Sequence, residues 1–283
     1  MFTMMSYNAA YAGANRGISA TGLLRQQWMG FKDADGNKIA PMTTYITIDS
    51  PIKALHGGIS GTLMQDKLGF QRINELQVGY AYRFDWGEGD FAAGIKVNLI
   101  NPKIDFAKFK FIDEGDPVLN DKSERSDIMF DGSLGVFYQV PEKYYVGLSA
   151  ENLLQTVGKK TYYTLKRTFF ATGGYYWPIP GLPTFELQPS AWIGTDFATY
   201  QISITALLEY NKKFYGGLAY RYQDAVSILA GVNIKGLRIG ASYDLVTSKL
   251  FKYNSGSIEI LLSYCFKIET EKFRRSYRNT RFL

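Results

Sequence analysis

The sequence predicts an all-β fold, a transmembrane antiparallel β-barrel of about 14 strands with short periplasmic turns and long extracellular loops. Three observations predict it. Apolar and polar residues alternate with a period of two along most of the chain, the alternating runs are about ten residues long, and the connections between them sort by length. The sequence contains no apolar stripe of three helical turns and no run of about 20 apolar residues that could form a transmembrane helix.

The alternation is clearest near the C-terminus, where Ile258, Ile260 and Leu262 share one face of a strand and Glu259 and Ser263 share the other. A tilted strand of about ten residues crosses a bilayer, whereas an average strand of a globular protein has about five or six residues. The predicted strands cover residues 17–29, 41–49, 56–66, 71–84, 91–101, 128–139, 142–151, 167–176, 184–194, 200–210, 213–222, 225–233, 237–244 and 257–268.

The connections between these strands differ in length according to their parity. Counted from the N-terminus, the odd-numbered connections average about 11 residues and the even-numbered ones about 4. Short turns are periplasmic and long loops extracellular in outer-membrane barrels, so both chain ends are predicted to be periplasmic. The domain prediction is therefore a barrel over residues 1–268, in which 1–16 form a periplasmic N-terminal segment, and a periplasmic tail over 269–283.

The polar face of each strand is predicted to line the lumen, because the apolar face meets lipid. Charges of both signs occur on it, which favours a network of salt bridges filling the barrel over a selective transport path. The predicted lumen-lining residues are Glu75, Arg83, Lys96, Glu209, Arg221, Arg238, Asp244 and Glu259. The longest predicted connection, residues 102–127, is the best candidate for a loop that folds inward as a plug or reaches outward.

The composition excludes several kinds of chemistry. Cys265 is the only cysteine and His56 the only histidine, so an internal disulfide and a structural zinc site of Cys/His type are both ruled out. A Ser-His-Asp triad would depend on His56 alone, and the sequence contains no Gly-x-Ser-x-Gly motif. We therefore predict that the protein is not an enzyme and needs no cofactor or metal.

The C-terminal tail is basic and rich in aromatic residues. It contributes five basic residues and one acidic residue to a chain whose net charge is +6. Arginine and aromatic side chains are enriched in interfaces, which favours docking to a periplasmic partner over a merely solvated chain end. The predicted partner-binding residues are Lys272, Arg274, Arg275, Tyr277, Arg278, Arg281 and Phe282. Nucleic acid is the usual partner of such a composition, but a periplasmic location excludes it.

Short motifs along the chain are similar to those of a known family. Tyr7-Asn8-Ala9-Ala10-Tyr11-Ala12-Gly13 is similar to Tyr-Asn-Pro-Ala-Tyr-Ala-Gly, and Gln27-Trp28-Met29-Gly30-Phe31 matches Gln-Trp-x-Gly-Phe. With Tyr253-Asn254-Ser255-Gly256-Ser257 and Glu259, these motifs resemble the PorP/SprF family of Bacteroidota outer-membrane proteins. The residues carrying the resemblance are Tyr7, Asn8, Tyr11, Gly13, Trp28, Gly30, Phe31, Tyr253, Asn254, Ser255, Gly256 and Glu259. The chain departs from the family pattern at Ala9, where proline is usual, and at Ile258, where histidine is common.

The resemblance implies an outer-membrane protein of the type IX secretion and gliding-motility apparatus. Family members follow a signal peptide, which this sequence lacks, so the resemblance implies a mature chain. The implied function is to anchor or help export a secreted adhesin, held through its C-terminal domain at the cell surface, and to dock to periplasmic type IX secretion components. The resemblance also implies that the barrel contacts outer-membrane lipid.

Two other functions remain open from the sequence. The first is an outer-membrane channel for small molecules or fatty acids, which conductance across a planar bilayer would distinguish. The second is a soluble lipocalin-like binding protein, which would purify without detergent.

Overall fold

The computed structural model describes residues 3–15, 17–33, 35–106 and 123–267. Within these ranges, fourteen long antiparallel strands form one sheet that closes into a barrel, since the last strand pairs with the first from Gly17 opposite Lys267 to Gln26 opposite Ile258. The strands are β1 (Gly17–Gln26), β2 (Met42–Ile52), β3 (Gly57–Leu68), β4 (Gln71–Trp86), β5 (Gly89–Asp105), β6 (Met129–Val140), β7 (Tyr144–Glu151), β8 (Thr168–Tyr175), β9 (Phe185–Thr195), β10 (Tyr200–Tyr210), β11 (Phe214–Arg221), β12 (Ala225–Ile234), β13 (Leu237–Val246) and β14 (Ser257–Lys267).

The predicted fold class is confirmed, and each predicted strand corresponds to one of these fourteen. Two short additions extend the sheet, Glu124–Ser126 beside β5 and Trp177–Pro178 beside β9. The largest difference in bounds is in β5, which extends to Asp105 instead of residue 101, so that the predicted connection 102–127 begins within the strand; β1, by contrast, ends at Gln26 instead of residue 29. The chain turns there because Trp28 has a left-handed backbone with a φ of 49°, which an extended strand does not allow. Among the described residues, no helix has the length and apolar character needed to cross a membrane.

The distribution of side chains is the reverse of that in a soluble protein. In the middle of β2, Ile48 is 55% exposed, whereas its neighbour Asp49 is 3% exposed. The same pattern recurs in β5, where Lys96 is buried and Val97 is exposed. Charged residues are almost never buried and large apolar ones are usually inside in water-soluble proteins. The outer face of the barrel is therefore an apolar belt that contacts lipid, and the polar face lines the lumen.

Residues 3–15, which we call the plug, lie inside the lumen. The plug contains two short 3₁₀ turns, Met4–Ser6 and Ala9–Tyr11, and Ala9, Ala10 and Ala12 are fully buried. It enters from the periplasmic end, since Gly13 contacts Pro51 and Gly58 beside the short turn between β2 and β3.

The position of the plug differs from the sequence-based prediction, which placed residues 1–16 in the periplasm. A barrel of eight strands is filled by its own wall side chains, whereas wider barrels leave a space inside. The plug occupies part of that space here. The loop predicted as the inward-folding candidate, 102–127, is described only at its two ends, because residues 107–122 lie outside the described ranges. The tail prediction, 269–283, also lies outside them.

Candidate functional site in the barrel lumen

Basic side chains of the barrel wall hold the plug by its main-chain carbonyl groups. The Arg83 Nη2 on β4 donates to the carbonyl oxygens of Ala10 at 3.0 Å and Ala12 at 3.2 Å. The Lys96 Nζ on β5 donates to the carbonyl oxygen of Ser6 at 3.2 Å. Hydrogen bonds from charged donors are stronger than neutral ones, so these two strands fix the path of the plug backbone.

Asn8 connects the plug to two neighbouring strands. Its Oδ1 accepts a hydrogen bond from the Ala10 amide at 2.9 Å, which caps the second 3₁₀ turn. Its Nδ2 donates to the carbonyl oxygens of Val136 on β6, at 3.1 Å, and Leu148 on β7, at 3.4 Å. Asn8 is fully buried and uses both ends of its amide, which gives a physical reason for asparagine in the Tyr-Asn motif.

The two tyrosines of the same motif pack against aromatic residues of the wall. The ring of Tyr7 lies 5.7 Å from that of Phe170 and 6.0 Å from that of Trp192. The ring of Tyr11 meets Phe137 edge to face at 5.3 Å. Aromatic pairs at such distances stabilise beyond the area that they bury, so the tyrosines anchor the plug on the β6, β8 and β9 side of the lumen.

Gly13 ends the motif where the plug meets the wall. Its φ of +73° lies in the left-handed region, and its amide donates to the Asp49 Oδ2 at 3.0 Å. A Cβ at this position would lie 3.0 Å from the Gly58 Cα. Both the backbone conformation and the close approach therefore require glycine here.

The wall also has glycines where the plug backbone comes closest. A Cβ added to Gly94 on β5 would lie 2.4 Å from the Ala10 amide nitrogen. We expect Gly94→Ala to lower the free energy of unfolding by about 1–3 kcal/mol, because neither backbone can move aside easily. Denaturant unfolding of the detergent-solubilised protein measures this change.

Gly61 on β3 provides the matched control for that substitution. A Cβ there would have no neighbouring atom within 4 Å, so we expect Gly61→Ala to leave the stability unchanged or slightly raised. Equal losses of stability in the two variants would contradict the close contact between the plug and β5.

The second and third motifs meet at the extracellular end, where β1 and β14 close the barrel. The Met29 amide donates to the Gly256 carbonyl oxygen at 2.8 Å, and the Ser255 amide donates to the Met29 carbonyl oxygen at 2.8 Å. The Trp28 amide also donates to the Ser257 Oγ at 3.1 Å. These bonds tie the loop after β1 to the loop before β14, although the two are separated by more than 200 positions in sequence.

The remaining motif residues shape these two loops. Gly30 and Gly256 have left-handed backbones, with φ of +83° and +85°. The rings of Trp28 and Phe31 pack edge to face at 6.0 Å, and the Tyr253 side chain is exposed. The motif residues therefore form two sites. One is the plug inside the lumen, and the other is a seam at the extracellular end, where the loop after β1 is hydrogen-bonded to the loop before β14.

The sequence of residues 1–264 matches the family described as type IX secretion system membrane protein PorP/SprF. The chain belongs to the PorP/SprF family. The match covers the plug, all the loops of the seam and nearly the whole barrel. None of the curated proteins matches the sequence.

Solved outer-membrane barrels resemble the structure of this PorP/SprF protein. Omp33 of Acinetobacter baumannii has a TM-score of 0.53 and 9% identity, over 89% of this chain and 98% of that one. The toluene transporter TodX of P. putida has a TM-score of 0.53 and 8% identity, over 94% of this chain and 93% of that one. At these identities the likeness concerns the fold alone. With the family it establishes an outer-membrane β-barrel.

The structure of this PorP/SprF barrel brings three of the eight predicted lumen charges, Arg221, Asp244 and Glu259, into one network below the seam. Asp244 on β13 accepts hydrogen bonds from Arg25 on β1 at 2.8 Å and from Arg221 on β11 at 3.5 Å. Arg25 also pairs with Glu259 on β14 at 3.0 Å, and Arg221 with Asp224 at 2.8 Å. The network links β1, β14, β13 and β11, so it reinforces the wall at the point of closure.

The other predicted charges lie apart from this network. Lys96 pairs with Glu151 at 3.1 Å, and Arg83 binds the plug. Three more have separate partners along the lumen face: Glu75 accepts from Gln77 at 2.9 Å, Glu209 accepts from Gln188 at 2.8 Å, and the Arg238 guanidinium lies 5.8 Å from the ring centre of Tyr215. The predicted charges thus divide into the seam network, the plug contacts and these separate pairs.

Among the described residues, the two larger polar cavities beside the plug each have a volume of about 500 Å³ or more. The first, about 550 Å³, is lined among others by Glu186, Glu209, Lys212 and Arg238. The second, about 500 Å³, is lined among others by Arg25, Gln201, Arg221 and Asp224. Both touch Thr3 of the plug and Tyr145 of β7. Among the described residues, no group of histidine, cysteine, aspartate and glutamate side chains is arranged to hold a metal ion.

Proposed function

We propose that this PorP/SprF barrel is a non-enzymatic part of the type IX secretion and gliding machinery that anchors or helps export a secreted surface protein, an adhesin. In this proposal it also docks to periplasmic components of the machinery. The family match over residues 1–264 carries the proposal. The plug supports it, because a lumen partly filled by the chain itself leaves the two ends of the barrel as the natural contact surfaces for other proteins.

The extracellular loops 102–127 and 152–166 are the proposed contact for the exported protein. Asp127, at the end of the first loop, joins it to the second: its Oδ2 accepts from the Thr161 amide at 2.7 Å and from the Lys160 amide at 3.0 Å. Burial alone would raise the pKa of Asp127, but the hydrogen bonds from Thr161 and Lys160 together lower it. The carboxylate therefore stays charged at neutral pH and keeps the two loops together.

The second loop also presents apolar side chains to solvent. Leu154, Val157 and Tyr162 are all exposed there, beside the exposed Lys159 and Lys160. Apolar groups rimmed by charged residues mark contact sites on proteins. This composition supports a role for the loop in holding a protein partner.

The lumen gives little support to a fatty-acid channel. A path for fatty acids needs apolar walls, whereas both cavities beside the plug are lined by charged and hydroxyl-bearing side chains such as Arg25, Thr47 and Glu209. Apolar chains would gain little by entering such a space.

The C-terminal tail is the proposed periplasmic contact. β14 ends at Lys267 at the periplasmic end, so the chain leaves the barrel on the side where such partners reside. We expect deletion of residues 272–283 to leave a folded barrel but to abolish co-purification of periplasmic components from native membranes. Mass spectrometry of proteins recovered with a tagged chain measures this loss.

A charge-neutral variant serves as the control for tail length. Substituting glutamine for Lys272, Arg274, Arg275, Arg278 and Arg281 keeps the length of the chain, so loss of the same components would assign recognition to the basic groups. Recovery of the periplasmic components at wild-type levels after the deletion would contradict the proposed role of the tail.

A further inference from the structure

The plug leaves part of the lumen open. Its backbone and Asn8 are hydrogen-bonded to β4 to β7 and its Gly13 amide to Asp49 on β2, whereas most of the wall residues that line the two cavities belong to β8 to β14 and to β1 and β2. The first cavity reaches Glu142 and Lys212 in periplasmic turns, and the second reaches Gln27 and Asp224 in extracellular connections. The two cavities therefore reach opposite ends of the barrel, and both are bounded by Thr3 of the plug.

The lumen wall that the plug covers carries charged side chains, unlike the apolar core of a protein. Lys96, Glu151, Asp49 and Arg83 lie there, buried under the plug or in contact with it. Buried charges are costly in a dry site, and water would solvate them if the plug moved away. Because water can solvate these charges, the lumen wall favours an alternative state in which the plug has moved away from it.

The plug is fastened by contacts that can break and re-form. It is followed along the chain by β1, and no disulfide within this sequence can hold it because Cys265 is the only cysteine of the sequence. Its central attachment is Asn8, whose Nδ2 donates to β6 and β7. Removing those two hydrogen bonds would weaken the binding of the plug to the lumen wall without changing any residue of the wall.

We propose that the barrel has a further activity beyond the secretion role: it conducts hydrated ions and small polar solutes when the plug leaves its seat. The charged lining of both cavities suits such solutes, and movement of the plug would join the two cavities into a path between the ends of the barrel. Thr3 and Tyr145, which line both cavities, mark the constriction that displacement of the plug widens.

The test is the conductance of the purified full chain in planar lipid bilayers with potassium chloride on both sides. We expect wild-type protein to be closed most of the time and Asn8→Ala to raise the open fraction about tenfold, because two hydrogen bonds from the plug are lost. The control is Asn74→Ala on β4, whose side chain pairs with Gln65 at the exposed extracellular end of the strand and lines neither cavity, and its open fraction should equal that of wild type.

A reversible lock separates the movement of the plug from any other effect of mutation. A Cβ at Gly135 would lie 3.0 Å from the Asn8 Cγ, a spacing that suits a disulfide between Asn8→Cys and Gly135→Cys, in a chain that also carries Cys265→Ser. We expect frequent openings of this variant under reducing conditions and none after oxidation, on the same molecules. Folded barrels change their mobility in gel electrophoresis when they are heated. This change, measured for each variant, confirms that the variant is folded.

Openings that continue unchanged after the disulfide forms would overturn the proposal, as would the lack of openings in both the Asn8→Ala and the reduced double-cysteine variant. Neither result bears on the tail deletion, which is read out by co-purification.

Discussion

Replacing Val78 with arginine should lower the free energy of unfolding of the barrel by about 2–4 kcal/mol, the cost of a basic side chain at the bilayer midplane. Val78 lies midway along β4, is 60% exposed on the outer face and pairs with Val97 on β5, which is exposed in the same way. The substitution therefore places a charge in the middle of the apolar belt. Denaturant unfolding of the barrel in lipid vesicles measures the loss.

The matched control is Val157→Arg. Val157 is 55% exposed, close to the value for Val78, but it belongs to the extracellular loop between β7 and β8. We expect its substitution to change the free energy of unfolding by less than about 0.5 kcal/mol, as is usual for surface positions. Equal effects at the two positions would mean that the outer face of β4 does not contact lipid.

Replacing Lys96 with methionine should destabilise the barrel by about 3–5 kcal/mol, as expected when one partner of a buried ion pair is removed. The Lys96 Nζ lies 3.1 Å from the Glu151 Oε1, and its side chain is almost fully buried beneath the plug. Methionine fills similar space but leaves the Glu151 carboxylate without its counter-charge. It also removes the hydrogen bond to the Ser6 carbonyl group, so the seat of the plug is weakened as well.

Two further variants separate the causes of this effect. The double substitution Lys96→Met with Glu151→Gln should recover most of the lost stability, because no unpaired charge remains. Lys143→Met breaks the exposed pair between Lys143 and Glu88 and should cost at most about 1 kcal/mol. A loss in Lys96→Met no larger than that in Lys143→Met would contradict a dry, charged wall behind the plug.

The strands and the orientation of their faces could be predicted from the sequence because side chains on a strand alternate strictly. Val78, for example, falls on the apolar face of its strand by counting alone, two residues from Leu76 and Tyr80. The same counting places Lys96 and Asp244 on the other face, where the structure has them buried. Where the backbone leaves the extended conformation, as at Trp28, counting fails and the predicted strand is too long.

The plug could not be predicted by such counting. Residues 3–15 have no period of their own, and their position depends on partners far away in sequence, such as Leu148 for Asn8, 140 residues on. The motif around Asn8 was recognised, but nothing in it distinguishes a segment in the periplasm from one inside the barrel. Glycines on the wall, such as Gly94, become informative only once the plug is seen to lie against them.

Arg25 was missing from the predicted lumen residues, and the register explains how it could have been found. Closing the barrel places β1 antiparallel to β14 with Arg25 directly opposite Glu259. Opposite charges facing each other across a pair of strands stabilise the pairing, so matching the charges of the first and last strands points to Arg25. Counting along β1 alone does not, because its alternation is weaker than that of β14.

The location of the Asn8 site has a consequence for the order of folding. The acceptors of its Nδ2, the carbonyl groups of Val136 and Leu148, belong to two strands that must pair before both acceptors lie side by side. The plug precedes every strand along the chain, but Asn8 can bind only after β6 and β7 have paired, and contacts between such distant residues form slowly. The N-terminal segment therefore takes its final place only where β6 and β7 are already paired in the correct register.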